Sequence, residues 1–148
     1  MKASLIVATK GRVDEVGRLF DSLCKQTYRD FEVIVVDQNP DDRLGELVRT
    51  YGAGMTIRWI RWSPGLSRAR NAGLKQASGE IVAFPDDDCV YPDETLEQVV
   101  QEFRRVPECD GLLGASVDET GRRKRIKDAR DAAEGRRLSR ENANRLEG

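Results

Sequence analysis

Three carboxylates in a row, Asp86, Asp87 and Asp88, close the apolar run of "GEIVAFPDDDCVYP" (residues 79–92). Like charges this close repel one another unless a cation lies among them. Hard divalent ions such as Mg²⁺ or Mn²⁺ take oxygen ligands, and a diphosphate commonly supplies those that the protein does not. On an extended segment Asp86 and Asp88 would leave the chain on one side and serve one ligand, with Asp87 directed elsewhere. A solvated acidic turn, capping the helix expected after Pro92, is the plainer use of the same triplet. The sequence contains no histidine, which removes imidazole-based triads and the usual zinc sites. Acid–base or metal chemistry here runs on carboxylates. Cys24, Cys89 and Cys109 are odd in number and lack CxxC spacing, so they read as reduced, mostly buried thiols.

A triplet of this kind acts on a ligand only if other elements deliver polar groups beside it. "ASLIVAT" (3–9), "FEVIVVD" (31–37), "TIRWIRW" (56–62), "EIVAF" (80–84) and "GLLGASV" (111–117) read as five strands. Between them, apolar residues recur at helical spacing: Val13, Val16, Phe20 and Leu23; then Leu44, Leu47, Val48 and Tyr51, with Asn39 or Asp41 placed as cap. Residues 65–77 and the set Leu96, Val99, Val100 and Phe103 give two more helices. Uniformly apolar strands alternating with helices predict a mainly parallel sheet covered on both faces. Ligands of such sheets bind beyond the carboxyl ends of the strands. Those ends are Thr9-Lys10-Gly11-Arg12, Asp37-Gln38-Asn39 and Asp86-Asp87-Asp88, so three separate segments converge on one edge. Trp59 and Trp62 are expected to pack the sheet.

The 148 residues suffice for one domain with a real core, expected over 1–117. A net charge of −1 gives no global attraction to nucleic acid. No apolar run approaches the roughly 20 residues of a membrane span, and the apolar part of "MKASLIVATKGR" is short for a signal peptide. A cytoplasmic protein is expected. Residues 118–148 are rich in Arg and Lys and poor in large apolar side chains, which predicts a charged tail or connector. The run Arg122-Arg123-Lys124-Arg125 reads as solvated linker ahead of a phosphate- or lipid-binding patch.

The stretch "GLSRARNAGLKQASGEIVAFPDDDCVYP" resembles the nucleotide-sugar-binding half of family 2 glycosyltransferases, an inverting group with the GT-A fold. Gly65, Ala69, Arg70, Asn71, Gly73, Gly79, Glu80, Asp86, Asp88 and Pro92 carry the likeness, and the opening "SLIVATKGRVDEVGRLFDSLCKQTYRDFEVIVVDQNPDD" extends it over residues 3 to 117. The resemblance implies a three-layer α/β/α sandwich with a mainly parallel sheet. It further implies that Asp37 accepts a hydrogen bond from the nucleobase, with Thr9 and Arg12 near the base and ribose. Asp86 would reach the ribose or donor sugar, and Asp88 would ligate Mg²⁺ or Mn²⁺ on the diphosphate. Arg70 and Asn71 would line the donor pocket, while Asp87 counts with the donor-binding residues without a specified contact and Cys89 packs. The implied partners are a nucleoside-diphosphate sugar, first of all a UDP-sugar, and an acceptor that the sequence does not name; peripheral membrane association of the parent enzyme is compatible with the family.

Family members continue into an acceptor-binding half that holds the general base. Glu134, Glu141 and Glu147 lack a family-like context, so the base is unknown and the chain is expected to be a truncated, donor-binding half. Such a half would expose a sheet edge and favour a homodimer. Two rivals remain at the level of sequence. One is a non-catalytic module that binds nucleoside-diphosphate sugars. The other is a sugar-phosphate nucleotidyltransferase, whose Gly-Gly-x-Gly-type loop "ATKGR" does not supply.

Overall fold

The computed structural model describes residues 1–115 and 137–138, and its contacts divide the chain into two compact units, Met1–Gln98 and Val99–Gly148. In the first unit β1 (Ala3–Thr9), α1 (Val13–Cys24), β2 (Phe31–Asp37), α2 (Gly45–Gly52), β3 (Ile57–Arg61), α3 (Leu66–Leu74) and β4 (Ile81–Ala83) follow in order. The four strands form one parallel sheet with order β3-β2-β1-β4. The most continuously apolar strands take the centre, and every residue of β2 is buried, as a strand covered on both faces requires. The chain leaves β1 in one direction for β2 and β3 and then returns to β4 on the other side. The switch point therefore lies between the carboxyl ends of β1 and β4.

Register decides which side chains share a face. Ile6, Ile34 and Val36 form a buried cluster with Ala69 of α3. Leu5, Val7, Val33 and Val35 on the opposite face are equally excluded from solvent. α1, which packs on α2, carries the complementary stripe Val16, Leu19, Phe20 and Leu23, all buried. The close approach of α3 depends on Gly73, where a Cβ would press into the side chain of Ile6 and lie 3.0 Å from Val36 Cγ2. Gly73→Ala gains about 1 kcal/mol of helix propensity but meets a fully buried neighbour, and overpacking costs roughly 1–3 kcal/mol. A net loss of stability is expected in urea unfolding; a stabilised variant would show that α3 can shift.

The amino ends of the strands are tied by a buried carboxylate. Glu32 Oε1 accepts from Ser4 Oγ (2.7 Å), Ser78 N (2.9 Å) and Ser78 Oγ (2.8 Å), and Oε2 accepts from Lys2 Nζ (3.1 Å). Burial pushes this carboxyl up, but the hydrogen bonds from Ser4, Ser78 and Lys2 outweigh it and bring it from 4.5 down to about 2. A lowered folded-state value stabilises the protein above the unfolded value and ceases to do so as pH falls through the folded one. About 3 kcal/mol of stability should thus be present at pH 5 and vanish toward pH 2. Urea titrations at pH 5 and 2.5 on wild type and Glu32→Gln test this. Equal pH sensitivity in both would remove Glu32 as the cause.

In the second unit, Val106 and Cys109 are buried and Cys109 Sγ donates to the carbonyl of Gly111 (3.1 Å). α4 (Thr95–Arg105) straddles the division, with Arg104 and Arg105 in its last turn, where cations complement the helix dipole. The expected fifth strand of the parallel sheet is corrected here. Of residues 111–115 only Gly111–Leu112 is extended, as β5, and it pairs antiparallel with β6 (Arg137–Leu138) in a sheet of its own. Gly111 and Gly114 weaken that segment as a strand. The expected cap of α2 is also corrected. Leu44 occupies the cap position without a side-chain bond, because Asp41 is held by Arg43 and Asn39 is used elsewhere. Apart from residues 137–138, the expected tail 118–148 lies outside the described residues, and so do Glu134, Glu141 and Glu147. No described helix is long and apolar enough to cross a membrane.

Candidate functional site

The carboxyl edge of the sheet is organised by the end of β2. Thr9, Asp37 and Arg61 are register neighbours across β1, β2 and β3, which places them on one face. Asp37 is fully buried. Its Oδ1 accepts from the backbone N–H (2.8 Å) and Nδ2 (2.7 Å) of Asn39, and Oδ2 accepts from Trp59 Nε1 (3.2 Å). Asn39 Oδ1 in turn accepts from Gly11 N (2.6 Å), where φ is +75°. Gln38 does the same for the next loop, its Oε1 accepting from Gly65 N (2.7 Å) at φ +141°. Both turns occupy backbone conformations that favour glycine. Two adjacent amides thus fasten the loops after β1 and β3 to the end of β2. Beside them Lys10, Gln38, Asn39, Pro40, Trp62, Ser63 and Pro64 line a cleft of ≈ 390 Å³.

The acidic triplet departs from its expected geometry. β4 stops at Ala83, Pro85 has no N–H to continue a ladder, and Asp87–Asp88 form a turn closed by Cys89 N to Asp86 O (3.2 Å). The paired carboxylates are therefore Asp87 and Asp88, not Asp86 and Asp88. Arg12 Nη1 donates to Asp87 Oδ1 (2.9 Å) and to Asp88 Oδ2 (2.8 Å). Asp86 turns to Arg70, whose Nη2 donates at 3.1 Å and whose guanidinium lies over Phe84 at 5.9 Å. The cations among the carboxylates are two arginines. Asp87 and then Asp88 hold the Arg12 guanidinium above its ordinary value. Asn71 is exposed on α3 and its side chain makes no hydrogen bond among the described residues.

Several positioning residues were not singled out by their sequence pattern. Gln26, at the end of α1, is buried and donates from Nε2 to Pro92 O (2.7 Å), while its Oε1 accepts from Leu96 N (3.0 Å). Ser22 Oγ accepts from Tyr91 N (3.1 Å). These bonds hold the far end of the acidic loop to α1. Trp59 packs as expected, with Arg61 over its ring at 5.2 Å, but it also steadies Asp37. Trp62 is half exposed at the cleft rather than packed.

Two polar atoms flanking the switch point, Thr9 Oγ1 and Arg70 Nε, are buried without a partner among the described residues. Unused hydrogen-bonding capacity of this kind is uncommon in folded proteins. No group of three or more acidic, Cys or His side chains is arranged to hold a metal among the described residues. The carboxylate oxygens of Asp87 and Asp88, which meet at one point, are nevertheless of the kind that suits Mg²⁺ or Mn²⁺ where water or a diphosphate completes the shell.

The sequence profile of Glycosyl transferase family 2 matches residues 4–147. An uncharacterised glycosyltransferase of Haemophilus influenzae is 33% identical over 104 residues, 70% of this chain and 35% of that protein. The poly(ribitol-phosphate) beta-N-acetylglucosaminyltransferase TarS of Staphylococcus aureus is 36% identical over 102 residues, 66% of this chain and 18% of TarS. The chain thus spans about a third or less of these relatives. The crystal structure of S. aureus TarS 1–349 in complex with UDP-GlcNAc superposes with a TM-score of 0.66 at 31% identity, covering 80% of this chain and 37% of that one. A mannosyltransferase of Pyrobaculum calidifontis in complex with GDP-Man and Mn²⁺ shares the fold, with a TM-score of 0.70 at 24% identity over 79% of this chain and 36% of its own.

Proposed function

The chain belongs to glycosyltransferase family 2, and from that premise we propose that its sheet edge binds the nucleoside-diphosphate sugar of an inverting glycosyl transfer. The fold is that of the GT-A glycosyltransferases. The observation that carries the reading is the convergence of Thr9, the Asp37–Asn39 network and the Asp86–Asp88 turn, with Arg12 and Arg70, around the switch point between β1 and β4. The UDP-sugar complex of TarS supports UDP as the first nucleotide to try.

The base is assigned to the cleft beside Asn39 and Trp62, with Asp37 behind it. Outside that cleft, Arg70 and Asn71 would face the donor and Asp86 would take its ribose or sugar. Cationic Arg12 and Arg70 offset the charge that gathers on the leaving nucleoside diphosphate as an acceptor hydroxyl attacks the anomeric carbon from the opposite face. Asp88 would hold Mg²⁺ or Mn²⁺, which supplies further neutralisation of that leaving group when bound. The acceptor site and the general base are assigned to no residue described here.

Calorimetric titration of the full chain with UDP, GDP, ADP and CDP, with and without Mn²⁺, tests the proposal. Selective binding of one nucleotide, strengthened by Mn²⁺, is expected. No binding of any of them would overturn it, and binding indifferent to Mn²⁺ would remove the metal from it.

A further inference from the structure

We propose that Arg12 is the resident cation of the acidic turn, holding Asp87 and Asp88 together in the free protein and releasing Asp88 when a divalent ion arrives. The inference rests on the donor-binding reading, because it concerns how that site is kept before it is filled. One nitrogen, Nη1, donates to both carboxylates at 2.9 and 2.8 Å. The two partners are not equivalent. Asp87 is only 12% exposed and Asp88 is 53% exposed. An ion pair open to water is weak and exchanges easily, whereas a shielded one is not screened in the same way. Asp87 is thus the fixed anchor and Asp88 the exchangeable arm.

The backbone under Arg12 cannot move far to make room. The preceding residue, Gly11, is pinned through its N–H to Asn39, and the carbonyl of Arg12 accepts from Val16 N at the start of α1. Exchange must then occur in the side chain. A guanidinium carries five N–H donors in a rigid fork, so Arg12 can stay on Asp87 and turn its remaining donors to a phosphate. Asp88 exchanges an arginine for a metal, and Arg12 exchanges a carboxylate for a phosphate. This gives Asp87, the middle residue of the triplet, a positioning role.

The test uses the full chain and Mn²⁺ alone, with free Mn²⁺ counted by electron paramagnetic resonance. Loss of the exposed ion pair with the competing cation predicts that Arg12→Gln binds Mn²⁺ about threefold more tightly than wild type. Arg12→Lys should fall between the two and serves if the glutamine variant folds poorly by circular dichroism. Asp88→Asn should lose the Mn²⁺ site. With Mn²⁺ saturating, UDP should bind Arg12→Gln more weakly than wild type, the opposite sign. Equal or weaker Mn²⁺ binding by Arg12→Gln, or none by either protein, overturns the exchange. Wild type that binds none of UDP, GDP, ADP and CDP with Mn²⁺ overturns the donor-binding reading instead, so the two failures are distinct.

Discussion

Asp88→Ala is expected to abolish the part of UDP affinity that Mn²⁺ confers, a loss of about a hundredfold, while leaving the fold intact. The side chain is half exposed, and among the described residues it bonds to Arg12, whose side chain is about equally exposed. Removing it costs stability no more than about 0.5–1 kcal/mol, and relief of crowding beside Asp86 and Asp87 offsets part of that. Binding and stability therefore separate at this residue. Asp87→Ala should behave differently, since Asp87 is shielded and holds Arg12; its effect should reach both metal-free stability and nucleotide binding, and be smaller in the second. Calorimetry with and without Mn²⁺, beside urea unfolding, checks both. Undiminished Mn²⁺ enhancement in Asp88→Ala would move the metal to another residue.

The strands and helices of the first unit were legible because burial on both faces leaves a plain trace. "ASLIVAT" and "FEVIVVD" have no polar alternation, and they form the two central strands. The polar residues that end them, Thr9 and Asp37, lie where a parallel sheet opens to ligands. The sequence leaves the Asp86–Asp88 stretch open between extended chain and turn, since side-chain pairing of Asp87 with Arg12, 75 residues away, leaves no local signal. Gln26 illustrates a different limit. A glutamine at a helix end has the composition of surface, yet here its amide bonds the carbonyl of Pro92 in the loop after β4 and the N–H of Leu96 in the first turn of α4. Gly73 was visible in a motif, while its reason, the side chain of Ile6, is a contact across the fold. The strand expected at 111–117 failed on glycine content and on a partner, β6, far along the chain.

Asp37→Ala is expected to lower UDP affinity at least tenfold and to destabilise the protein by about 3 kcal/mol, because the buried carboxylate is the common acceptor of three donors. Truncation leaves Trp59 Nε1 and both nitrogens of Asn39 unpaired, and each buried orphan costs roughly 1–3 kcal/mol before water or relaxation relieves it. Pyrophosphate affinity should fall less, since Asp86–Asp88 and Arg70 lie on other segments and only Arg12 follows the Gly11 turn that Asn39 holds. Two routes lead to the same loss of UDP. Asp37 can bind the base itself, or it can hold Asn39, which holds Gly11 and so the loop beside the cleft. A cycle with Asn39→Ala separates them. If Asp37 acts through Asn39, the second substitution adds little to the first; if each meets the base independently, their losses add. The burial of Asp37 and its three internal donors favour the first outcome. Equal losses for UDP and pyrophosphate would take Asp37 out of base recognition altogether and leave it an anchor of β2.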